Sequence, residues 1–282
     1  MAAFNGAVAI GAHAIETDIH LSKDGVVVLS HDATLQRCYG RDAKIIDCTW
    51  EELKHLRTIK APHEPLPRLT DLLGLLATPG ASHLWLLLDI KVRSPQSAVD
   101  TDHETTIRQI AKAIHEVAPS STPWDGRIIL GCWATKQVHL CQRYLPTFPI
   151  THIGFGILYA RQFLKLPNVS FNMLQQVLMG PMGQSFIQDV KAAERSLFVW
   201  TVNKPSMVRW CIRHQVDGVI GDDPKMVLDT CDSFDPHAKP DRLTWSDLFN
   251  LVRIQFMLLF FGAMFWRRFS EPLIARAAIK SA

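Results

Sequence analysis

Polar and apolar residues alternate with a period of two over residues 14–19, and a short apolar run, Val26 to Leu29, follows after Lys23-Asp24-Gly25. The pattern predicts a strand, a tight turn and a second short strand. On the first strand Glu16, Asp18 and His20 point to one side, while Ile15, Ile19 and Leu21 point to the other. Ahead of it, Ala2 to Ala12 read as a helix of small apolar residues. Thr49 with Glu52 three positions on forms a capping box that opens a helix through about Leu56, and 61–68 is a proline-punctuated loop.

Alternating units then follow: a buried strand in HLWLLLDIKV, a helix over Glu104–Val117 with Ile107, Ile110, Ala111 and Ile114 on one face, and a strand at 127–133. A helix from Lys136 to Tyr144 precedes two strands, at 150–156 and 169–174, with a helix between them. Helices from Gln184 and from Pro205 then flank a strand at 197–202. A last strand at 218–223 leads into a short helix from Pro224. Besides the hairpin strand at 26–29, strands fall near residues 15, 86, 130, 152, 171, 199 and 219. Strands alternating with helices imply a parallel sheet, and this many imply an α/β barrel of the TIM type, (β/α)8. The count is one short of eight, so the expectation is a barrel whose first strand precedes Met1 and whose seam is open. Residues 1–240 are expected to form the barrel and 241–282 a tail.

At 282 residues, 48% of them hydrophobic, the chain can bury one large core. A net charge of +3, with both signs interspersed, gives no nucleic-acid signature. The excess is local. From Arg242 onward six Lys or Arg face only Asp247 and Glu271, which leaves the preceding residues slightly acidic. The six cysteines have no CxxC pair or regular spacing, so reduced thiols in an intracellular protein are expected, and MAAFNGAVAIGA carries no secretory pattern.

In a parallel barrel the carboxyl ends of the strands carry the site, and polar residues gather at those ends: Glu16, Asp18 and His20; Asp89 and Lys91; Trp133; Asn203; Asp222. Glu16, Asp18 and Asp89 would make an oxygen-rich site for a hard divalent cation such as Mg²⁺ or Ca²⁺. The same residues also fit a strand end salt-bridged by Lys23 or Lys91. His31, followed by Asp32, is a candidate general acid or base, with a plain loop histidine as the alternative. Lys91 suits a phosphate or a pairing with Asp89. Trp133 and Trp200 are candidates for substrate binding, with rim packing as the alternative.

Taken in order, AAFNGAVAIGAHAIETDIHLSKDGVVVLSHDATLQR, LLLDIK, VWTVN and DGVIGDDP resemble the glycerophosphodiester phosphodiesterase family, the phospholipase C-like phosphodiesterases, over about residues 2–230. The details are most similar to the fungal phosphatidylglycerol phospholipase C branch. The resemblance implies that Glu16, Asp18 and Asp89 bind the metal, with Asp89 standing where many relatives have Glu. It implies that His31 is one of two acid/base histidines and that Lys91 contacts the phosphate. The implied reaction is metal-assisted cleavage of a phosphodiester next to a glycerol; phosphatidylglycerol would yield diacylglycerol and glycerol phosphate. Soluble glycerophosphodiesters, or a catalytically impaired membrane-associated relative, are the alternatives. The His-Arg-Gly strand with which family members begin has no counterpart here.

The tail, 244–269, opens on a second capping signal, Thr244 to Asp247, and runs thirteen residues from Ile254 to Trp266 with only Gln255 polar. That is short of the ~20 apolar residues a bilayer span takes. It predicts an interfacial or re-entrant anchor, with Phe260, Phe261, Phe265, Trp266, Arg267 and Arg268 at the membrane. A helix packed over the barrel is the alternative. The expected setting is a membrane, with endoplasmic reticulum, lipid droplet and mitochondrion all open.

Overall fold

The structure is a computed structural model that describes residues 1–91, 102–119 and 122–269, with side chains of the last helix described through Met257. It divides into two compact units, Met1–Ile150 and Thr151–Ala282.

The first unit runs α1 (Ala2–Ala9), β1 (Ala14–Leu21), β2 (Val27–Leu29), α2 (Gln36–Tyr39), α3 (Trp50–Leu53), α4 (Leu69–Leu76), β3 (Trp85–Ile90), α5 (His103–Glu116), β4 (Ile128–Cys132) and α6 (Thr135–Tyr144). β1 lies between β2, which pairs with it antiparallel, and β3, which pairs with it parallel; β4 then adds parallel to β3. Along β1 buried and half-buried residues alternate as the sequence predicts, so Glu16, Asp18 and His20 share the less buried face. β3 is buried almost throughout, the continuous apolar run of a parallel strand covered on both faces. Gly25, at φ +82°, closes the β1–β2 turn in a conformation that L side chains rarely adopt.

The capping box at Thr49 forms as expected: its amide and hydroxyl both donate to Glu52 Oε2, at 2.7 and 2.9 Å. α3 beyond it is a single turn and stops at Leu53, short of Leu56. Leu53 packs with Val28, Leu35, Ile45, Cys48 and Leu66 in a small core beneath the hairpin. On α5 the buried alanine is Ala113, not Ala111, so the apolar stripe sits slightly off the predicted one. The expected order omits α4. Its Leu69, Leu72, Leu73 and Leu76 are all buried at helical spacing, and Asp71 accepts from the Arg68 amide at 2.9 Å. That signal sits directly after the proline-rich loop, and the run of leucines is as compatible with a strand as with a helix.

The second unit runs β5 (Ile150–Gly154), α7 (Ile157–Phe163), β6 (Val169–Leu174), α8 (Gln175–Leu178), α9 (Gly183–Ala192), β7 (Leu197–Trp200), α10 (Pro205–Arg213), β8 (Gly218–Val219), α11 (Pro224–Asp232) and α12 (Trp245–Phe269). β6, β7 and β8 pair in parallel. Phe163, Phe171 and Phe186 fill its core, the last two edge-to-face at 5.3 Å. A Cβ at Gly183 would fall 1.7 Å from the Leu178 carbonyl oxygen, so only glycine lets α9 start against the end of α8.

The capping signal before α12 also forms, Thr244 Oγ1 donating to Asp247 at 2.6 Å. Asp247 pairs with Lys204, and Gln255 Nε2 donates to the Gln176 carbonyl at 2.6 Å, which docks one side of α12 on its own unit. Trp245, Phe249, Val252 and Phe256 fall within about 60° of one another at 100° per residue, on the side away from Asp247, and are exposed, Trp245 by 88% and Phe256 by 72%. Among the described residues no helix is long and apolar enough to cross a membrane. The side chains of Phe260, Phe261, Phe265, Trp266, Arg267 and Arg268 lie outside the described residues. All six cysteines are free thiols, and the Cys132 and Cys141 sulfurs stand 3.6 Å apart.

Candidate active site

Strand register assembles an acid cluster in the first unit. Asp18 on β1 stands directly opposite Asp89 on β3, and Glu16 is two residues earlier on the same face of β1. One carboxylate oxygen from each of Glu16, Asp18 and Asp89 lies within 4.8 Å of the others. Three carboxylates this close disfavour one another's ionisation, and burial adds to the effect. Burial first, then Asp18 and Asp89, hold the Glu16 carboxyl protonated up to about 8. Burial likewise raises Asp89, against the pull of Lys91.

Lys91 follows β3 directly and answers part of this charge. Its ammonium lies 2.5 Å from Asp18 Oδ1 and 2.7 Å from Asp89 Oδ2. Its two carboxylate partners hold its own pKa above the ordinary lysine value, in spite of burial. The other oxygen of Asp89 accepts from the indole N–H of Trp133, 2.7 Å away and 44 residues on in sequence. The Trp133 ring also stands 5.7 Å from the Lys91 ammonium. One monocation beside three carboxylates leaves the cluster short of positive charge when all are ionised. An all-oxygen donor set with that deficit fits a hard divalent cation.

The sequence expectation thus placed Glu16, Asp18, Asp89 and Lys91 together, and the structure brings them together. Lys23, the alternative partner, has its backbone amide on the Cys48 carbonyl, and no ion pair joins its side chain to the cluster among those described. His20 shares the face of Glu16 and Asp18 but stands outside the 4.8 Å group. Its ring is bound to the His31 backbone, its Nε2 is buried without a hydrogen-bond partner among the described residues, and burial lowers its pKa.

His31 sits just beyond β2, on a segment tied to the cluster by its neighbour: the Ser30 amide donates to the Asp18 carbonyl at 3.0 Å. The imidazole is 72% exposed, with Nδ1 3.0 Å from Asp32 Oδ1. Arg37 Nε donates to the second oxygen of Asp32 at 2.5 Å, and with His31 it holds that carboxyl down at about 2. Asp32 is therefore ionised and able to orient the ring, which leaves Nε2 facing outward. The arginine was missed from sequence, though it stands five residues from Asp32 in the same turn.

Trp200 belongs to the second unit, at the end of β7, where its indole donates to the Asn172 carbonyl at 3.1 Å. Nearby, Asn203 donates to Asp222 at 2.5 Å and accepts from the Asp222 amide at 2.9 Å. Gln137, which the sequence did not single out, is buried behind Trp133 and bonded to its backbone.

Comparison with known proteins places these features in context. The model of the glycerophosphoryl diester phosphodiesterase family matches residues 1–226. The chain is similar to a glycerophosphodiester phosphodiesterase of Caldanaerobacter subterraneus, 26% identical over 237 residues that cover 81% of this chain and 89% of that one. Over a shorter stretch, 53 residues covering 19% of this chain and 17% of the other, it is 47% identical to a lysophospholipase D of Rattus norvegicus. Among solved structures it is similar to an Oleispira antarctica phosphodiesterase in complex with the product sn-glycerol-3-phosphate. That match has a TM-score of 0.68 and 20% identity, and it covers 82% of this chain and 90% of the other. A Thermotoga maritima glycerophosphodiester phosphodiesterase matches with a TM-score of 0.62 and 21% identity, covering 80% and 88%. The structural likeness and the parallel β/α order agree on a TIM-barrel-like α/β fold.

Proposed function

The chain belongs to the glycerophosphoryl diester phosphodiesterase family of phosphoric diester hydrolases, and on that premise we propose that it cleaves glycerophosphodiesters at the acid cluster of its first unit. The observation that carries the reading is the convergence of Glu16, Asp18 and Asp89 on one point beside a lysine. In this reading those three carboxylates hold a divalent cation, Mg²⁺ or Ca²⁺. Such an ion, when bound, polarises phosphoryl oxygens and lowers the pKa of an attacking hydroxyl or water.

The remaining work falls to the chain. Lys91 brings a fixed positive charge to the same face and is placed to meet the anionic phosphate. The indole N–H of Trp133 fixes the orientation of Asp89. His31, with Nδ1–H donating to Asp32, presents Nε2 as the group that takes a proton from the attacking oxygen or returns one to the leaving oxygen. Arg37 holds the second oxygen of Asp32 and so fixes the carboxylate that orients the ring. Trp133, beside Lys91, is placed to contact substrate.

A second reading keeps the chemistry and changes the substrate to a membrane glycerophospholipid, phosphatidylglycerol, cleaved to diacylglycerol and glycerol phosphate. The exposed apolar side of α12 favours it: a stripe of Trp245, Phe249, Val252 and Phe256 away from Asp247 suits the surface of a bilayer. The sequence that continues the helix is apolar all round from Met257 to Trp266 and ends on Arg267 and Arg268, an order that suits acyl chains and then anionic headgroups.

The experiment is release of glycerol phosphate by the full chain from glycerophosphoglycerol in solution and from phosphatidylglycerol vesicles, with Mg²⁺, with Ca²⁺ and with chelator. Cation-dependent release from the soluble diester is expected, and no release from either substrate with either cation overturns the reading. Faster release from vesicles, lost in a Phe249→Ser/Phe256→Ser variant that still cleaves the soluble diester, establishes the lipid reading; equal rates for that variant and the unaltered chain on vesicles exclude it.

A further inference from the structure

Gln137 lies in the first turn of α6 and is fully buried. Its side-chain amide bridges the end of β3 and the turn that follows β4. Oε1 accepts from the amides of Trp133 at 2.9 Å and Ala134 at 3.1 Å, on the turn that leads into α6. Nε2 donates to the Ile90 carbonyl at 2.7 Å and has the Lys91 carbonyl at 3.4 Å. The backbone register between β3 and β4 ends at Ile90 and Cys132. Gln137 adds a side-chain bridge at that end, from Ile90, the last paired residue of β3, to Trp133 and Ala134 just beyond β4.

Those two segments each carry half of one contact. Asp89 and Lys91 flank Ile90 on the first, and Trp133 on the second donates its indole N–H to Asp89. We infer that Gln137 is a positioning residue, which holds the β4–α6 turn against the end of β3 and thereby sets the Trp133 indole on Asp89. The consequence is orientational. With Trp133 on Oδ1 and Lys91 on Oδ2, the Asp89 carboxylate cannot turn about its last bond without losing a hydrogen bond. Groups that orient a ligating carboxylate from behind typically matter by about 10- to 100-fold in metal affinity or activity. For its effect on turnover, the inference rests on the acid cluster being the reaction centre.

The test compares Gln137→Met, close in volume but unable to make any of the four contacts, with Gln137→Glu, which keeps an acceptor for the two amides and loses the donor to Ile90. Three quantities are measured on folded protein: hydrogen-exchange protection of the Trp133 indole N–H without metal, assigned against Trp133→Phe; Mn²⁺ affinity by calorimetry; and kcat and KM on glycerophosphoglycerol. The expected result is at least tenfold loss of indole protection in Gln137→Met and a smaller loss in Gln137→Glu. Mn²⁺ affinity and kcat should fall about 10- to 100-fold, and Trp133→Phe should mask most of the Gln137→Met effect in the double variant.

Unchanged indole protection, or kcat within twofold of the unaltered chain, overturns the inference; so do losses that simply multiply in the double variant. If Gln137→Met does not fold, Gln137→Glu decides by the same readouts. Failure of the reaction-centre reading shows separately: Glu16→Gln and Asp89→Asn would then leave Mn²⁺ binding and turnover intact while the indole measurement still reports on Gln137.

Discussion

Where β3 and β4 begin, the guanidinium of Arg127 lies buried against backbone carbonyls: Nε and Nη2 both reach Leu84, and Nη2 also reaches Leu76 and Ala81, all at 2.8–3.0 Å. Where the same two strands end, Asp89 and Trp133 meet Asp18, Glu16 and Lys91. At the first end Nε and Nη2 are answered by dipoles already present in the fold, since Leu76 closes α4 and Leu84 leads into β3, while Nη1 is buried with no hydrogen-bond partner among the described residues. At the second, like charges are held together, and the proton on Glu16 is retained well above its ordinary range. One end spends its polar groups on holding elements together, and the other keeps polar capacity for something that arrives from outside. This is the division of labour expected between the two rims of a parallel β/α sheet.

The comparison breaks most visibly at Asp89. Asp89→Asn should cut turnover on glycerophosphoglycerol by about 100-fold or more, the scale of losing one electrostatic group at a reacting centre. Because it removes one of three crowded carboxylates, the melting temperature without metal should hold or rise. A drop in melting temperature with turnover intact would assign Asp89 to the scaffold instead.

Arg127→Met should do the reverse. Three buried carbonyls lose their donor, at a cost of about 3 kcal/mol in chemical denaturation, while kcat per folded molecule stays the same. Loss of kcat in the folded variant would mean that the two ends are not independent.

The smallest expected effect is a pH slope. Glu16 binds its proton more tightly in the folded state, up to about 8, than at its ordinary value of 4.5, so between those values the folded state carries more protons than the unfolded one. Stability of the metal-free protein should therefore fall as pH rises through that window, and Glu16→Gln should flatten the slope. A slope unchanged by that substitution would place the coupling in another group.

How much of this was legible beforehand follows from the range of each interaction. Period-two alternation puts Glu16, Asp18 and His20 on one face without knowledge of any partner strand, and the boxes at Thr49 and Thr244 close over three residues. The meeting of Asp18 with Asp89 could be proposed from strand ends, but the register that sets them opposite each other is a property of pairing across seventy residues. Trp133 was visible as a residue at a strand end and not as the donor to Asp89. Gln137 and Arg127 carried no signal at all: a glutamine in a helix and an arginine before a strand are ordinary until their carbonyl partners, more than forty positions away, are in place. On α12, spacing alone did not say which side of an almost wholly apolar helix would dock; the contacts of Asp247 and Gln255 decided it.

The hydrogen bond from the Ser30 amide to the Asp18 carbonyl has a consequence for how the molecule comes together. It joins residues twelve apart, and with the turn at Gly25 it makes one hairpin the bearer of two carboxylates and the imidazole. Contacts this local close early, because the loop entropy they cost is small. Asp89 comes from a strand that must find β1 across a long stretch of chain, and it arrives together with Lys91, whose ammonium meets Asp18 as well as Asp89. The docking of β3 on the hairpin is thus the step of assembly that completes the cluster, and the strand that adds the last carboxylate carries the counter-charge that lets it settle beside Asp18.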